Sequence, residues 1–354
     1  MNVAVRRSAS KEQAIGIAKF VLPQPYLLFL GDVVEAGFAK TAFGLRDWAG
    51  DRCVGEFALP GARVSTGLPN LDPKAAAARG ARSMVIGVAN PGGQIPPSWF
   101  GALLDALEAG LDLVSGMHVR LADLPGLQAA ADRLNRRLID VRTQPAGIPI
   151  GTGEKRSGRR LLTVGTDCAL GKKYTALAIA RALTARGIDA TFRATGQTGI
   201  MIAGEGMPMD CIVADFVAGA AEVLSPNAAA DHVDIIEGQG SLFHPSYAGV
   251  ALGLLHGSQP DRFVVCHEPG RTHLLGHGEF ELPSIEQVIE QTIALGRVTN
   301  PDIRCAGISL NTAKFGVDEA HLEIAKIEKR LALPAADPMR GGATFERLLD
   351  ACMS

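Results

Sequence analysis

The residues best equipped for chemistry in this 354-residue chain fall in three glycine-bearing segments. The first is Leu161–Tyr174, LLTVGTDCALGKKY. An apolar run of Leu161, Leu162 and Val164 leads into a turn from Gly165 to Gly171. Lys172 and Lys173 then open a helix whose positions Ala176, Leu177, Ala180 and Leu183 run to a stop at Gly187. Strand, glycine turn and helix together bind phosphate, because main-chain N–H groups and the helix N-terminus converge on the anion and a lysine adds a full charge. Gly165, Thr166, Asp167, Cys168, Ala169, Leu170, Gly171, Lys172, Lys173 and Tyr174 are the expected phosphate-binding set. The plainer reading is an ordinary strand-to-helix turn.

Two features set this loop apart. It carries one more residue between its glycines than the usual phosphate loop. That longer form, G-T-D-x-x-x-G-K, resembles dethiobiotin synthetase and its phosphate-loop relatives. The residue after the first lysine is Lys173, where a Ser or Thr hydroxyl would hold Mg²⁺ beside a nucleotide. A second ammonium suits phosphate but cannot ligate a metal.

The second segment ends a predicted strand, Ala190–Ala194, and reads Arg193-Ala-Thr195-Gly196-Gln197-Thr198-Gly199. Arg193, Thr195, Gln197 and Thr198 supply a guanidinium, hydroxyls and an amide, the parts of a loop that grips a carboxylate or phosphate. A polar turn is the alternative. In the third segment, a strand over Val233–Ile236 delivers Glu237 into the turn Gly238-Gln239-Gly240-Ser241. Glu237 is the acid expected to face the phosphate loop, with Gln239 beside it as a substrate contact. His244 and Asp215 are its rivals as a general base; Asp215 and Glu222 would share one face if Cys211–Glu222 formed a single helix. Asn311 closes a further strand, Cys305–Leu310, where related phosphate-loop proteins read a nucleotide base.

The elements that must carry these residues alternate in type. Strands over Tyr26–Gly31, Cys53–Leu59, Ser83–Val88, Leu111–Ser115 and Leu138–Val141 are separated by helices that include Trp99–Ala109 and Leu127–Arg137. Residues 1–20 carry a weak helical pattern. Such alternation gives a parallel sheet with helices on both faces. Asp32, at the end of the first strand, is placed for a ligand or for capping the next helix. No G-x-G-x-x-G follows that strand, which argues against a dinucleotide fingerprint. Residues 142–159, RTQPAGIPIGTGEKRSGR, break the pattern and divide the chain into domains over 1–145 and 146–354.

Composition narrows the possibilities. A net charge of −2 with no basic cluster offers nothing to nucleic acid. Hydrophobic residues at 47% and charged residues at 20% are those of an ordinary globular protein. The six cysteines form no C-x-x-C pair, so neither a zinc site nor a disulfide framework is indicated. The first residues lack the apolar core of a signal peptide and no stretch is long enough to span a bilayer, so a cytoplasmic location is expected.

Taken together, LFLGD, VIGVANPGG, LLTVGTDCALGKKYTAL, RATGQTGIMIAG, VADFVAGAAE, IIEGQGSLFHPSYAGVALGLLHG and ISLNTAKFG resemble a bacterial family long described as of unknown function. It has a Rossmann-like N-terminal domain and a phosphate-loop NTPase-like C-terminal domain, and members act as D-glutamate N-acetyltransferases in D-amino-acid catabolism. The resemblance implies acetyl-CoA as co-substrate, an acidic amino acid as acceptor, no metal and, by analogy with phosphate-loop relatives, a homo-oligomer. Coenzyme A carries phosphates and an adenine without undergoing phosphoryl transfer, which fits a loop that has Lys173 in place of a hydroxyl. The competing reading is a Mg·ATP-dependent ligase or kinase resembling dethiobiotin synthetase, with Asp167 and Glu237 holding the metal; a third is a non-catalytic nucleotide-binding regulator.

Overall fold

The computed structural model describes residues 22–354; the helical pattern expected over 1–20 lies outside them. The chain forms two α/β domains, each built on a parallel sheet. In the first, strands β1 (Tyr26–Gly31), β2 (Cys53–Ala58), β3 (Ser83–Ile86), β4 (Asp112–Ser115) and β5 (Leu138–Asp140) pair in the order β2-β1-β3-β4-β5. Helices α1 (Lys40–Ala49), α2 (Pro73–Ala78), α3 (Phe100–Glu108) and α4 (Leu127–Leu134) connect them. All six residues of β1 are buried, as an unbroken apolar run requires of a strand covered on both faces. Asp72 starts α2 by accepting from Ala75 N–H at 2.7 Å, with Pro73 at the first helical position. The strand order reverses between β1 and β3, which places a crevice at the carboxyl ends of those strands. Asp32 stands there, and its Oδ1 accepts from Trp99 Nε1 at 2.9 Å.

The second domain contains β6 (Arg159–Gly165), α5 (Lys172–Ala185), β7 (Ala190–Arg193), α6 (Gln197–Ala203), α7 (Val217–Leu224), β8 (Val233–Ile236), α8 (Ala248–Ser258), β9 (Arg262–His267), α9 (Ile285–Gly296), β12 (Arg304–Leu310), α10 (Val317–Leu331), β13 (Ala335–Ala336) and α11 (Gly342–Met353). An antiparallel hairpin of β10 (His273–Leu274) and β11 (His277–Glu281) follows β9. The parallel sheet runs β13-β12-β9-β6-β8-β7. The phosphate loop therefore rises from a central strand, with Glu237 at the end of β8 on one side and His267 at the end of β9 on the other. Ser284 caps α9 in a reciprocal box with Gln287.

Two local expectations change. The segment 193–199 is not all loop: α6 begins at Gln197, because the apolar run Ile200–Ala203 has a core to enter. Cys211–Glu222 is neither a strand nor one helix; two 3₁₀ turns, Met209–Cys211 and Ala214–Phe216, precede α7. The polar stretch that carries His273 and His277 forms the β10–β11 hairpin. No helix among the described residues is long and apolar enough to cross a membrane.

Residues 141–158 carry neither helix nor strand, yet they are held down: Glu222 Oε1 accepts from Thr152 and Gly153 N–H at 2.8 and 2.9 Å. The two domains also share a core. Leu177, Ala194, Ile200, Met201 and Ile202 belong to the apolar cluster that covers the first sheet. Polar contacts surround it: Tyr174 donates to Asp47 Oδ2 at 2.7 Å, Thr41 and Thr198 hydroxyls meet at 2.9 Å, and Arg142 pairs with Asp210 at 2.5 Å. Both tryptophans of the chain, Trp48 and Trp99, lie in the first domain, whereas Ile200 belongs to the second and is fully buried. Cutting Ile200 to Ala should destabilise the protein by about 2–5 kcal/mol. Tryptophan fluorescence during urea unfolding should register that loss; an unchanged midpoint would show that the domains unfold independently.

Candidate active site

The phosphate loop is Thr166–Gly171, between β6 and α5. Ala169 and Gly171 take positive φ, 54° and 108°, to turn the chain into the helix. Lys172 is buried, and its Nζ donates to the carbonyl of Asp167 at 2.7 Å, so its ammonium lies inside the loop. Burial lowers its pKa. Thr166 is buried beneath the loop, with its hydroxyl 3.1 Å from His267 Nδ1. Leu170 is a core residue, while Cys168 is half-buried and burial raises its thiol pKa.

Asp167 does not face outward. It is fully buried, its Oδ1 accepts from Cys168 N–H at 2.6 Å, and its Oδ2 accepts from Arg271 Nη1 at 2.9 Å and Leu275 N–H at 2.8 Å. It ties the loop to the β10 segment. Asp167, Cys168 and His244 each bring one metal-ligating atom within 4.8 Å of the others, but both Asp167 oxygens are already engaged. Lys173 also departs from the expected phosphate contact. Successive helical residues point about 100° apart, and Lys173 turns toward α1: a Cβ on Gly44 would lie 3.0 Å from its Nζ. Burial pushes its pKa down to about 8, against the opposing pull of Glu237. Tyr174, bonded to Asp47 and edge-on to Trp48, serves the domain contact rather than the loop.

Glu237 is buried at 4% exposure. Its Oε2 accepts from Thr195 and Gly196 N–H at 3.0 and 3.1 Å, and Thr195 Oγ1 donates to its carbonyl at 2.7 Å. Gln239 Nε2 donates to the same Thr195 hydroxyl at 2.9 Å. Burial raises the Glu237 pKa above the ordinary glutamate value of 4.5, with Lys173 as the strongest opposing influence. Gly199 is required beside it: a Cβ there would lie 2.3 Å from Glu237 Oε2. The structure thus brings together Glu237, Thr195, Gln239 and Lys173.

A family model described as a domain of unknown function (DUF1611_C), P-loop domain, matches residues 149–349 of this chain. Its companion (DUF1611_N), described as a Rossmann-like domain, matches residues 57–144. The chain belongs to the DUF1611 family. It is 49% identical over 331 residues to a protein of Tritonibacter scottomollicae named D-glutamate N-acetyltransferase, covering 94% of this chain and 99% of that one. A Pseudoalteromonas protein of the same name is 46% identical over 318 residues, covering 90% and 96%. The crystal structure of a DUF1611 family protein from Anabaena variabilis superposes with a TM-score of 0.83 at 33% identity, covering 94% of this chain and 99% of that one.

Within this DUF1611 chain, several expected site residues stand elsewhere. Arg193 turns back along the sheet to bond buried Asp234 Oδ1 at 2.6 Å, so its guanidinium is taken by a structural ion pair. Asp215 is exposed on the 3₁₀ turn before α7 and shares no hydrogen bond or ion pair with the other candidates. Thr198 spends its hydroxyl on Thr41. Gln197 reaches across to the first domain, where a Cβ on Gly116 would come within 1.9 Å of its Oε1. His244 is buried beside the loop and its Nδ1 accepts from Ser246 N–H at 3.1 Å, while burial lowers its pKa. Asn311 Oδ1 caps Ala313 N–H at 3.2 Å.

Sequence reasoning did not single out Arg271, which lines a cavity of about 560 Å³ next to the phosphate loop with Glu268, Leu274, Lys314 and Phe315. Glu268 pairs with both Arg271 and Lys314, one carboxylate for two cations. The hairpin that closes this cavity leaves only a short strand signal, so its lining was not legible. Arg142 was likewise missed, because it stands in a linker-like stretch.

Lys173 yields a stability test. Between pH 8 and 10.5 the unfolded chain keeps a proton that folded Lys173 has released. The unfolded state then binds more protons, so this residue adds stability as pH rises through that window. Lys173→Met should lack that gain when unfolding free energies of the two proteins are compared from pH 7.5 to 10; equal slopes would refute the shifted lysine.

Proposed function

We propose that this chain transfers the acetyl group of acetyl-CoA to the amino group of D-glutamate. The observation that carries the chemistry is Glu237: a buried carboxylate with a raised pKa at the end of β8, the strand next to the one that leads into the phosphate loop. Full-length kinship to two proteins named D-glutamate N-acetyltransferase supports the choice of acyl group and acceptor.

Acetyl transfer needs a neutral amine, a stabilised oxyanion and a held substrate. Glu237 takes a proton from the acceptor ammonium. The freed nitrogen attacks the thioester carbonyl, the tetrahedral oxyanion collapses with the C–S bond breaking, the departing thiolate receives the proton from Glu237, and the second proton of the attacking nitrogen passes to water, leaving the neutral amide and the free thiol. A base with a raised pKa is better matched to that task than an ordinary glutamate. Gly238 N–H is engaged by Thr163 Oγ1 at 2.9 Å, so the N–H groups of Gln239 and Gly240 are the oxyanion donors in this reading. The phosphate loop and Lys172 hold a phosphate of coenzyme A, and the cavity by Arg271, Lys314 and Phe315 takes its adenosine end, with Asn311 at the entrance of that segment. His244 is a wall of the same loop rather than the base, because its pKa is lowered and its Nδ1 is engaged.

The Mg·ATP ligase or kinase reading asks Asp167 to hold a metal, and its oxygens instead accept from Cys168, Arg271 and Leu275. A cytoplasmic homo-oligomer acting in D-amino-acid breakdown is the setting we assign to the enzyme.

Thiol release from acetyl-CoA should depend on D-glutamate, exceed that with L-glutamate, and persist in EDTA. Glu237→Gln should lower kcat by roughly 10²–10⁴-fold while the variant remains folded by circular dichroism; turnover within a few-fold of the parent would remove Glu237 as the base. In the parent, kcat/KM should fall as pH drops through a value above 4.5, since only ionised Glu237 can accept the proton. Lys173→Met removes the cation that opposes the burial of Glu237, so this acid limb should move to higher pH.

A further inference from the structure

Among the described residues, the side-chain atoms buried on the seam between the domains without a hydrogen-bond partner include Arg142 Nε and Gln197 Oε1, with Trp48 Nε1 elsewhere along it. Native interiors leave few such atoms, because each forfeits the hydrogen bonds it made to water. Arg142 and Gln197 both adjoin the end of β4 at Gly116. Val141 N–H bonds to Ser115 O at 2.9 Å, which extends the β4–β5 pairing by a residue, so Arg142 leaves the sheet beside Gly116. Gln197 Oε1 packs against that same Gly116 from the second domain.

The chemistry of the two atoms is complementary to an amino acid. Arg142 Nε is a donor on a cation and suits a carboxylate. Gln197 Oε1 is an acceptor and suits an ammonium. Asp210 fixes the guanidinium by its Nη2 at 2.5 Å, and Arg142 keeps only a tenth of its side chain exposed. Gly196, the residue before Gln197, donates its N–H to Glu237. The main chain that carries Gln197 is therefore tied to the Glu237 carboxylate. Lys173 faces Glu237 from the α5 side and is a second cation. The seam meets solvent at His118 and Asp210, both exposed.

We propose that the acidic acceptor binds across this seam, one carboxylate on Arg142, the other toward Lys173, and its amino group between Gln197 Oε1 and Glu237. This rests on the acetyl-transfer reading and adds to it that the N-terminal domain supplies a substrate-binding residue. Arg142 occupies the role that the sequence suggested for Arg193.

The test uses the whole protein and two substitutions, Arg142→Lys and Gln197→Met. Arg142→Lys keeps the charge opposite Asp210 but loses the planar fork, and Gln197→Met keeps the volume. At saturating acetyl-CoA, each should raise KM for D-glutamate by roughly tenfold or more, the loss of one charge-assisted hydrogen bond, with KM for acetyl-CoA within about twofold of the parent. Titration calorimetry with D-glutamate alone separates this proposal from the catalytic one. Heat of binding in the parent that weakens in both variants supports the seam even if no thiol is released, in which case the acetyl-transfer reading fails by itself. Equal binding by parent and variants, or no binding by the parent, overturns the seam site.

Discussion

Glu237 Oε2 receives the N–H groups of Thr195 and Gly196, and the Thr195 hydroxyl returns a hydrogen bond to the Glu237 carbonyl. This closed exchange joins the end of β8 to the turn between β7 and α6. Hydrogen bonds to a charged group contribute about 1.5–3 kcal/mol each, yet the pKa of Glu237 is raised, so the cost of burial outweighs them together with the pull of Lys173. The carboxylate is held where its charge is poorly solvated, as reactive acids and bases commonly are. The same turn launches α6, whose Ile200, Met201 and Ile202 enter the core of the other domain. Placement of the Glu237 carboxylate and docking of the domains thus rest on the same turn. Gly199 shows which demand prevails: a helical glycine costs about 1 kcal/mol relative to Ala, but a Cβ there would strike the Glu237 carboxylate.

The adjacent lysines of α5 divide their labour by geometry. Lys172 points into the loop and donates to the Asp167 carbonyl, while Lys173 turns toward Gly44 of α1. In a loop that presents a nucleotide for phosphoryl transfer, the second position supplies the metal's hydroxyl ligand. Here that position holds a lysine turned to the domain contact instead. The proposed acetyl transfer breaks no phosphate bond, so it makes no call on such a hydroxyl.

Much of the fold was legible because buried parallel strands are continuous apolar runs. Glu237 was legible for a related reason: an acid at the end of a buried strand beside a phosphate loop has few places to go. Arg193 was misread because a polar, glycine-rich stretch begins two residues after it, whereas its partner is Asp234, one strand over and two register positions back. Asp215 was misread because periodicity cannot tell a helix from the 3₁₀ turns that precede it. Contacts between the domains leave no local signal at all. Gln197 meets Gly116, and Arg142 meets Asp210, through tertiary packing of distant segments.

The demand for a second domain follows from how the phosphate-loop domain has spent its cations. Arg193 is bound to Asp234, Arg271 is shared between Asp167 and Glu268, and Lys172 fills its own loop. Each of these pairings is buried or half-buried, and breaking one strands a charge at a cost of about 3–5 kcal/mol. They are therefore poor reserves for a substrate. A dicarboxylate brought to Glu237 also adds negative charge beside an acid that is already hard to ionise. The cleft must then offer positive charge that is anchored yet has donors to spare. Lys173 meets that need from α5. The N-terminal sheet meets it with Arg142, which Asp210 holds through one nitrogen while its Nε stays unpaired. In the proposed reaction a phosphate-loop domain alone would carry the base and the phosphate grip; with the first domain docked through α6, the proposed site gains a guanidinium positioned from outside that fold.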